Sequence, residues 1–181
     1  MGENISKQDI ILNTIAHEGG YVNDPDDLGG ETNMGITHIT WVKYGDGTPL
    51  KDIVIEQAMK VYDIQFYQKQ LIDEVALIYP SLANNFFDAS VNCGRCGATR
   101  ILQQLINGYA KEFGWESVEE DGYIGTQTLT GLTRVAFKID DDEIENDWRT
   151  ALHGYYKSIV KNNPKLRKYL KGWHNRLMEV Y

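Results

Sequence analysis

Ser6-Lys7-Gln8-Asp9-Ile10-Ile11-Leu12-Asn13-Thr14-Ile15-Ala16-His17-Glu18-Gly19-Gly20-Tyr21-Val22-Asn23-Asp24-Pro25-Asp26-Asp27-Leu28-Gly29-Gly30-Glu31-Thr32-Asn33-Met34-Gly35-Ile36-Thr37 is the stretch on which the reading of the fold turns. Ser6 to Asp9 has the pattern of a capping box and predicts a helix start. Ile11 and Ile15 recur at i and i+4, and Glu18 follows Ile15 at i+3, so one carboxylate closes the apolar stripe of a helix. Gly19-Gly20 ends that helix. Residues 21–37 are dense in Gly, Asp, Asn and Thr, which predicts a polar loop with a short β-hairpin around its glycines.

Most of the remaining chain carries a helical period. Residues 37–44 predict a short helix that breaks at Gly45-Asp46-Gly47-Thr48-Pro49. Residues 52–68 predict a long one, with Ile55, Met59, Tyr62 and Phe66 on one face. Pro80 interrupts the pattern. Helices then follow over 81–92, with Leu82, Phe86 and Ala89 on one side, and over 95–107, with Ile101, Leu102, Leu105 and Ile106. Another begins near Thr126, a possible cap, and carries Leu129, Leu132 and Ala136. Asp140-Asp141-Asp142-Glu143 places negative charge at the start of the next helix, where the macrodipole favours it. Helices over 144–161 and 164–180 close the chain, the latter opening on Pro164. The expected fold is all-α, with at most one small β-hairpin next to the helix that bears Glu18.

The chain has 181 residues, enough for one well-cored domain or two small lobes. No apolar run reaches the length of a membrane span, and the first residues show no positive region followed by an apolar stretch, so no secretory signal is expected. The net charge of −8 is unevenly spread: residues 148–181 hold eight Lys or Arg against one acid, Glu179, which leaves −15 on residues 1–147. The overall acidity argues against a nucleic-acid enzyme, while the basic end is either a solvated helix face or an attraction to an anionic polymer. Cys93 and Cys96 form a CxxC without histidines at metal-ligand spacing. It reads as small residues in a Gly-containing bend, with a thiol oxidoreductase pair as the rival.

An acid at the end of a rigid helix, facing a polar, glycine-rich loop, suits glycoside hydrolysis. One carboxyl must hold a proton for the leaving sugar oxygen, and a second polar group must hold water or steady the cation-like transition state. The acidic loop does not suit calcium: counted from Asp24, position 5 is Leu28 and position 12 is Gly35, where an EF-hand needs oxygen ligands.

The run from Glu18 to Thr37 resembles the signature of the glycoside hydrolase family 108 N-acetylmuramidases, which include phage endolysins and bacterial muramidases, some first labelled secretion activators. Phe87-Asp88-Ala89-Ser90-Val91-Asn92-Cys93-Gly94, Asp121-Gly122-Tyr123-Ile124-Gly125-Thr126-Gln127-Thr128 and Gly172-Trp173-His174-Asn175-Arg176 extend the resemblance over nearly the whole chain. It implies a lysozyme-like helical fold, with residues 1–92 as the catalytic muramidase region. Residues 93–181 would be a helical peptidoglycan-binding-like region packed on it as one compact unit. It also implies cleavage of the β-1,4 bond between N-acetylmuramic acid and N-acetylglucosamine, with Glu18 as the catalytic acid and no metal or other cofactor.

Phage-type lysozymes of another family space a Glu, an Asp and a Thr in a way that Glu18, Asp27 and Thr32 approximate. By that analogy Asp27 steers or deprotonates the attacking water and Thr32 helps to hold it. Tyr21, Asn33 and Met34 are expected along the groove. Asp88 and Asn92 share one helix face and either contact substrate or pin the active-site loop. His17 points about 100° away from Glu18 around the helix and reads as a packing residue. The expected partner is peptidoglycan, with a holin or secretion system for export from the bacterial cytoplasm to the periplasm or wall, and with neither nucleic acid nor stable membrane insertion. The alternative is a non-catalytic cell-wall-binding or secretion-accessory protein.

Overall fold

The computed structural model describes residues 6–23 and 30–179. The chain divides into two compact units, Met1–Lys69 and Gln70–Tyr181.

In the first unit, helix α1 (Lys7–Ala16) opens on the expected capping box: the Ser6 N–H donates to Asp9 Oδ2 and the Asp9 N–H to Ser6 Oγ, both at 3.2 Å. Ile10, Ile11, Thr14 and Ile15 form its buried face. The predicted hairpin is present as strands β1 (Thr32–Asn33) and β2 (Ile36–Thr37), with Thr32 opposite Thr37 and Asn33 opposite Ile36. Val22 adds a third rung by exchanging two backbone hydrogen bonds of 2.8 Å with Thr32, which folds the segment after Glu18 back along β1. Thr37 then caps α2 (His38–Tyr44), accepting from the Thr40 N–H at 3.3 Å. Buried Trp41 donates its indole N–H to the Thr48 carbonyl at 2.6 Å, which closes the loop after α2. A 3₁₀ turn at Leu50–Asp52 lies against β1, and α3 (Ile55–Tyr62) lies against α1. The predicted helix over 52–68 is therefore divided. Ile53 and Val54 are extended, and beyond Tyr62 the chain widens into a π turn at Asp63–Tyr67.

In the second unit, α5 (Pro80–Asn92) is central. Every residue from Leu82 to Ser90 is buried, as befits a helix covered on all sides by α4 (Ile72–Ile78), α6 (Arg95–Phe113) and α8 (Asp141–Asn162). Phe86 meets Trp148 edge to face, with centroids 5.7 Å apart. Helix α7 (Thr126–Ala136) packs on α4 and α6, and α9 (Leu170–Glu179) packs on α8. Three boundaries depart from the expected ones. Helix α4 was unforeseen: Leu71, at φ 47°, breaks the chain before it, and Ile72 and Val75 then bury one short face. Helix α6 runs beyond 107 because Tyr109 and Ala110 are still buried, and it stops at Gly114 with φ 73°. The region 164–180 begins as a 3₁₀ turn at Pro164–Tyr169 before α9. Asp140 caps α8 by accepting from the Glu143 N–H at 2.9 Å, so the acidic run does open that helix. Thr126 is the first helical residue of α7, and the cap position is Gly125. Among the described residues the sole sheet is the two-stranded hairpin, and the fold is all-α as expected.

Candidate active site

Glu18 lies two residues beyond α1, half-buried, its N–H donating to the Ile15 carbonyl at 3.0 Å. The hairpin brings its turn against this carboxyl. Met34 (φ 48°) and Gly35 (φ 72°) form the two-residue link between β1 and β2, both in the left-handed region that such tight hairpins require. A Cβ at Gly35 would stand within 2.9 Å of Glu18 Cγ, Glu18 Oε2 and the Tyr62 hydroxyl, so only glycine fits there. Met34 has no such freedom, and a left-handed residue with a long side chain is strained. Its carbonyl accepts a 2.9 Å hydrogen bond from the hydroxyl of Tyr62, which is fully buried at the end of α3. The end of α1, the hairpin turn and α3 thus meet at one carboxylate. Its seat is fixed by sterics from Gly35 and by the hydroxyl that holds the turn.

The other expected residues are placed as follows. Thr32 lies on β1, three residues before Gly35, with its backbone paired to Val22 and its hydroxyl donating to the Gly30 carbonyl at 3.4 Å. Asn33 is buried and donates its amide to the Leu50 carbonyl at 2.9 Å, tying the hairpin to the 3₁₀ turn. Tyr21 is 43% exposed. Asp27, like Asp24 and Asp26, lies outside the described residues. His17 is half-buried, and its Nε2 has no hydrogen-bond partner among the described residues.

Asp88 and Asn92 belong to α5 in the second unit, and both reach helices of that unit. Asp88 takes a bidentate ion pair from Arg176 of α9, with Nε and Nη2 each 2.8 Å from a carboxylate oxygen. The Asn92 amide donates to the Tyr156 hydroxyl of α8 at 2.6 Å. Burial is the main cause that pushes the Tyr156 phenol well above its usual range, with Cys93 adding to it. Asn84, one turn before Asp88, is buried with its amide nitrogen unpartnered among the described residues. Sequence reasoning did not single out Tyr62, Asn84 or Arg176. Tyr62 appeared only as an apolar face residue, and Arg176 only within the closing motif.

Cys93 ends α5 with its thiol donating to the Ala89 carbonyl at 3.0 Å, and burial pushes its pKa up to about 12. A thiol so protonated at neutral pH is a poor nucleophile, which speaks against a redox pair with exposed Cys96. The Asp121–Thr128 motif folds around the buried Gln103. The Gln103 amide donates to Asp121 Oδ1 at 2.8 Å and to the Tyr123 carbonyl and the Thr128 hydroxyl at 3.1 Å, while its oxygen accepts from the Gly122 N–H at 2.9 Å. These contacts account for the motif as the staple of the turn between α6 and α7.

A carboxylate on a helix end, seated against a small hairpin in an otherwise helical chain, is the arrangement of a lysozyme-like glycoside hydrolase. Residues 11–94 match the Glycosyl hydrolase 108 family, and residues 97–178 match the Predicted Peptidoglycan domain. SagA of Brucella abortus has a similar structure, with a TM-score of 0.71 and 25% sequence identity over 96% of this chain and 90% of that one. No curated protein sequence matches the chain. Residues 11–94 are thus a glycosyl hydrolase 108 domain and residues 97–178 a peptidoglycan domain, and together they make a peptidoglycan hydrolase that acts at the cell wall.

Proposed function

We propose that the protein is an N-acetylmuramidase that cleaves the β-1,4 bond between N-acetylmuramic acid and N-acetylglucosamine, with Glu18 as general acid. The observation that carries this reading is the seat of Glu18, which the hairpin turn and Tyr62 hold at a helix end. Glu18 gives its proton to the glycosidic oxygen as the bond from that oxygen to the muramic acid C1 breaks. A water held by Asp27 and Thr32 adds to the cation-like C1, and its proton passes to Asp27. Tyr21 offers its exposed ring to a sugar. Asn33 acts as a positioning residue through Leu50, while Asp88 and Asn92 hold helices of their own unit through Arg176 and Tyr156. The step needs no cofactor. Residues 1–92 carry the chemistry and residues 93–181 hold the wall, and a holin or secretion system delivers the enzyme from the cytoplasm.

The test is digestion of purified peptidoglycan by wild type and Glu18→Gln, with mass spectrometry of the products. Muropeptides ending in reducing N-acetylmuramic acid are expected from the wild type. The variant should lose roughly 10²–10⁴-fold in rate while melting normally. An active variant, or products ending in reducing N-acetylglucosamine, overturns the assignment. Binding to sacculi with no soluble product from either protein would favour the non-catalytic wall-binding reading.

A further inference from the structure

A cavity of about 430 Å³ opens at the C-terminal end of α8, where the chain turns through Pro164–Tyr169 into α9. It is lined by Lys157, Val160, Lys161, Pro164, Arg167 and Leu170. With Lys165, Lys168 and Lys171 nearby in sequence, six cations fall within residues 157–171, and that span contains no Asp or Glu. Among the described residues none of the six has an acidic partner. The cations that precede and follow them are treated differently: Arg149 is paired with Glu145 and Arg176 with Asp88. Six like charges left unneutralised repel one another, and no acid among the described residues pairs with them. Between them lie apolar groups: Val160 and Leu170 in the cavity wall, and Tyr169, 48% exposed, under the ammonium of Lys168 at 4.9 Å.

We propose that this basic face docks the protein on an anionic phospholipid bilayer. Lysine ammoniums and the Arg167 guanidinium meet lipid phosphates, while Tyr169 and the apolar cavity wall meet the interfacial layer. Charge complementarity selects the ligand, and the charge of the rest of the chain selects its form. Without the six cations the chain carries −14 on its net −8. A long polynucleotide that engaged all six would also run against that acidic remainder. A planar surface can engage the basic face without following the rest of the chain, and acids more than about 8 Å away are screened at physiological salt. Docking here is peripheral, since no helix among the described residues is long and apolar enough to cross a membrane. It is independent of the glycosidase reading.

The test is co-sedimentation of the full chain with vesicles of mixed phosphatidylglycerol and phosphatidylcholine, and with phosphatidylcholine alone. The wild type should bind the mixed vesicles, release them as salt rises, and ignore the zwitterionic ones. Each cation near the surface contributes about fivefold to binding, so Lys157→Gln/Lys161→Gln/Arg167→Gln should weaken partitioning about a hundredfold. The inference is overturned by equal binding of wild type and variant, by equal binding to both vesicles, or by sacculus binding that falls in the variant when neither protein binds vesicles. Should the variant unfold, the salt titration of the wild type decides alone: salt-insensitive binding refutes the proposal.

Discussion

Gly35→Ala tests whether the hairpin turn seats Glu18. The new methyl carbon would lie 2.9 Å from Glu18 Cγ and Oε2, and closer still to the Tyr62 hydroxyl, where ordinary contact begins at 3.4 Å. Something must move by about half an ångström or more. The left-handed backbone of Gly35 adds about 1–2 kcal/mol for any L residue, and overpacking a well-filled site adds about 1–3 kcal/mol. The sum of about 2–5 kcal/mol lowers the melting temperature by roughly 4–20 °C at this chain length. The effect on activity is expected to be larger than the effect on folding. A misplacement of about 1 Å in a catalytic group costs about a hundredfold in rate. Gly47→Ala is the control, because Gly47 also has a left-handed φ of 91° but open space where its Cβ would stand. It should lose the strain component of stability and no activity. Rates of muropeptide release, measured well below each melting point, separate the two effects. A Gly35→Ala enzyme with more than half of wild-type activity would refute the steric account of the Glu18 seat.

Tyr62→Phe leaves the Met34 carbonyl without its donor, at a cost of about 1–3 kcal/mol. It should lower kcat several-fold with little change in KM; an unchanged kcat would assign Tyr62 to packing alone. Arg176→Met strands the Asp88 carboxylate, which is only 9% exposed, and should cost about 3–5 kcal/mol. Adding Asp88→Asn should restore most of that loss, and a single variant that melts like wild type would contradict the ion pair. Native protein treated with iodoacetamide at pH 8 should label at Cys96 alone, because the Cys93 thiol, with its pKa near 12, stays protonated there. Equal labelling of both cysteines would show that Cys93 is neither buried nor proton-bound.

What the sequence made legible is local in its causes. The start of α1 is written in Ser6 and Asp9 and its buried face in Ile11 and Ile15, whereas the helix stops at Ala16, three residues before the Gly19-Gly20 expected to end it. The hairpin is announced by the glycines and threonines of 30–37, and α5 by the apolar residues that follow the break at Pro80, although the helix takes in Pro80 itself. Helix α4 was not legible, because the residue that breaks the chain before it is Leu71, which carries no turn signal yet adopts a left-handed conformation. Asn33 reads as a groove residue, and Asp88 reads equally well as a substrate contact or as a structural polar group. Their observed partners, Leu50 and Arg176, lie 17 and 88 residues away, and no spacing rule reaches that far.

Tyr62 shows why a catalytic carboxylate can be found in a sequence while its support stays hidden. The helical period correctly places Tyr62 inside, because burial depends on the ring and its neighbours along α3. The hydroxyl is decided by a different part of the chain: it meets the Met34 carbonyl 28 residues earlier, at a backbone position that a methionine adopts only under constraint. Without that bond the turn could relax toward ordinary backbone angles, and Gly35 would leave the space beside Glu18. With it, strain at Met34, the missing Cβ at Gly35 and the orientation of Glu18 become one coupled feature. The glycine in the signature is thus required by a tyrosine outside it. Replacing both Gly35 and Tyr62 should therefore cost less than the sum of the two single losses, since either change alone already releases the seat.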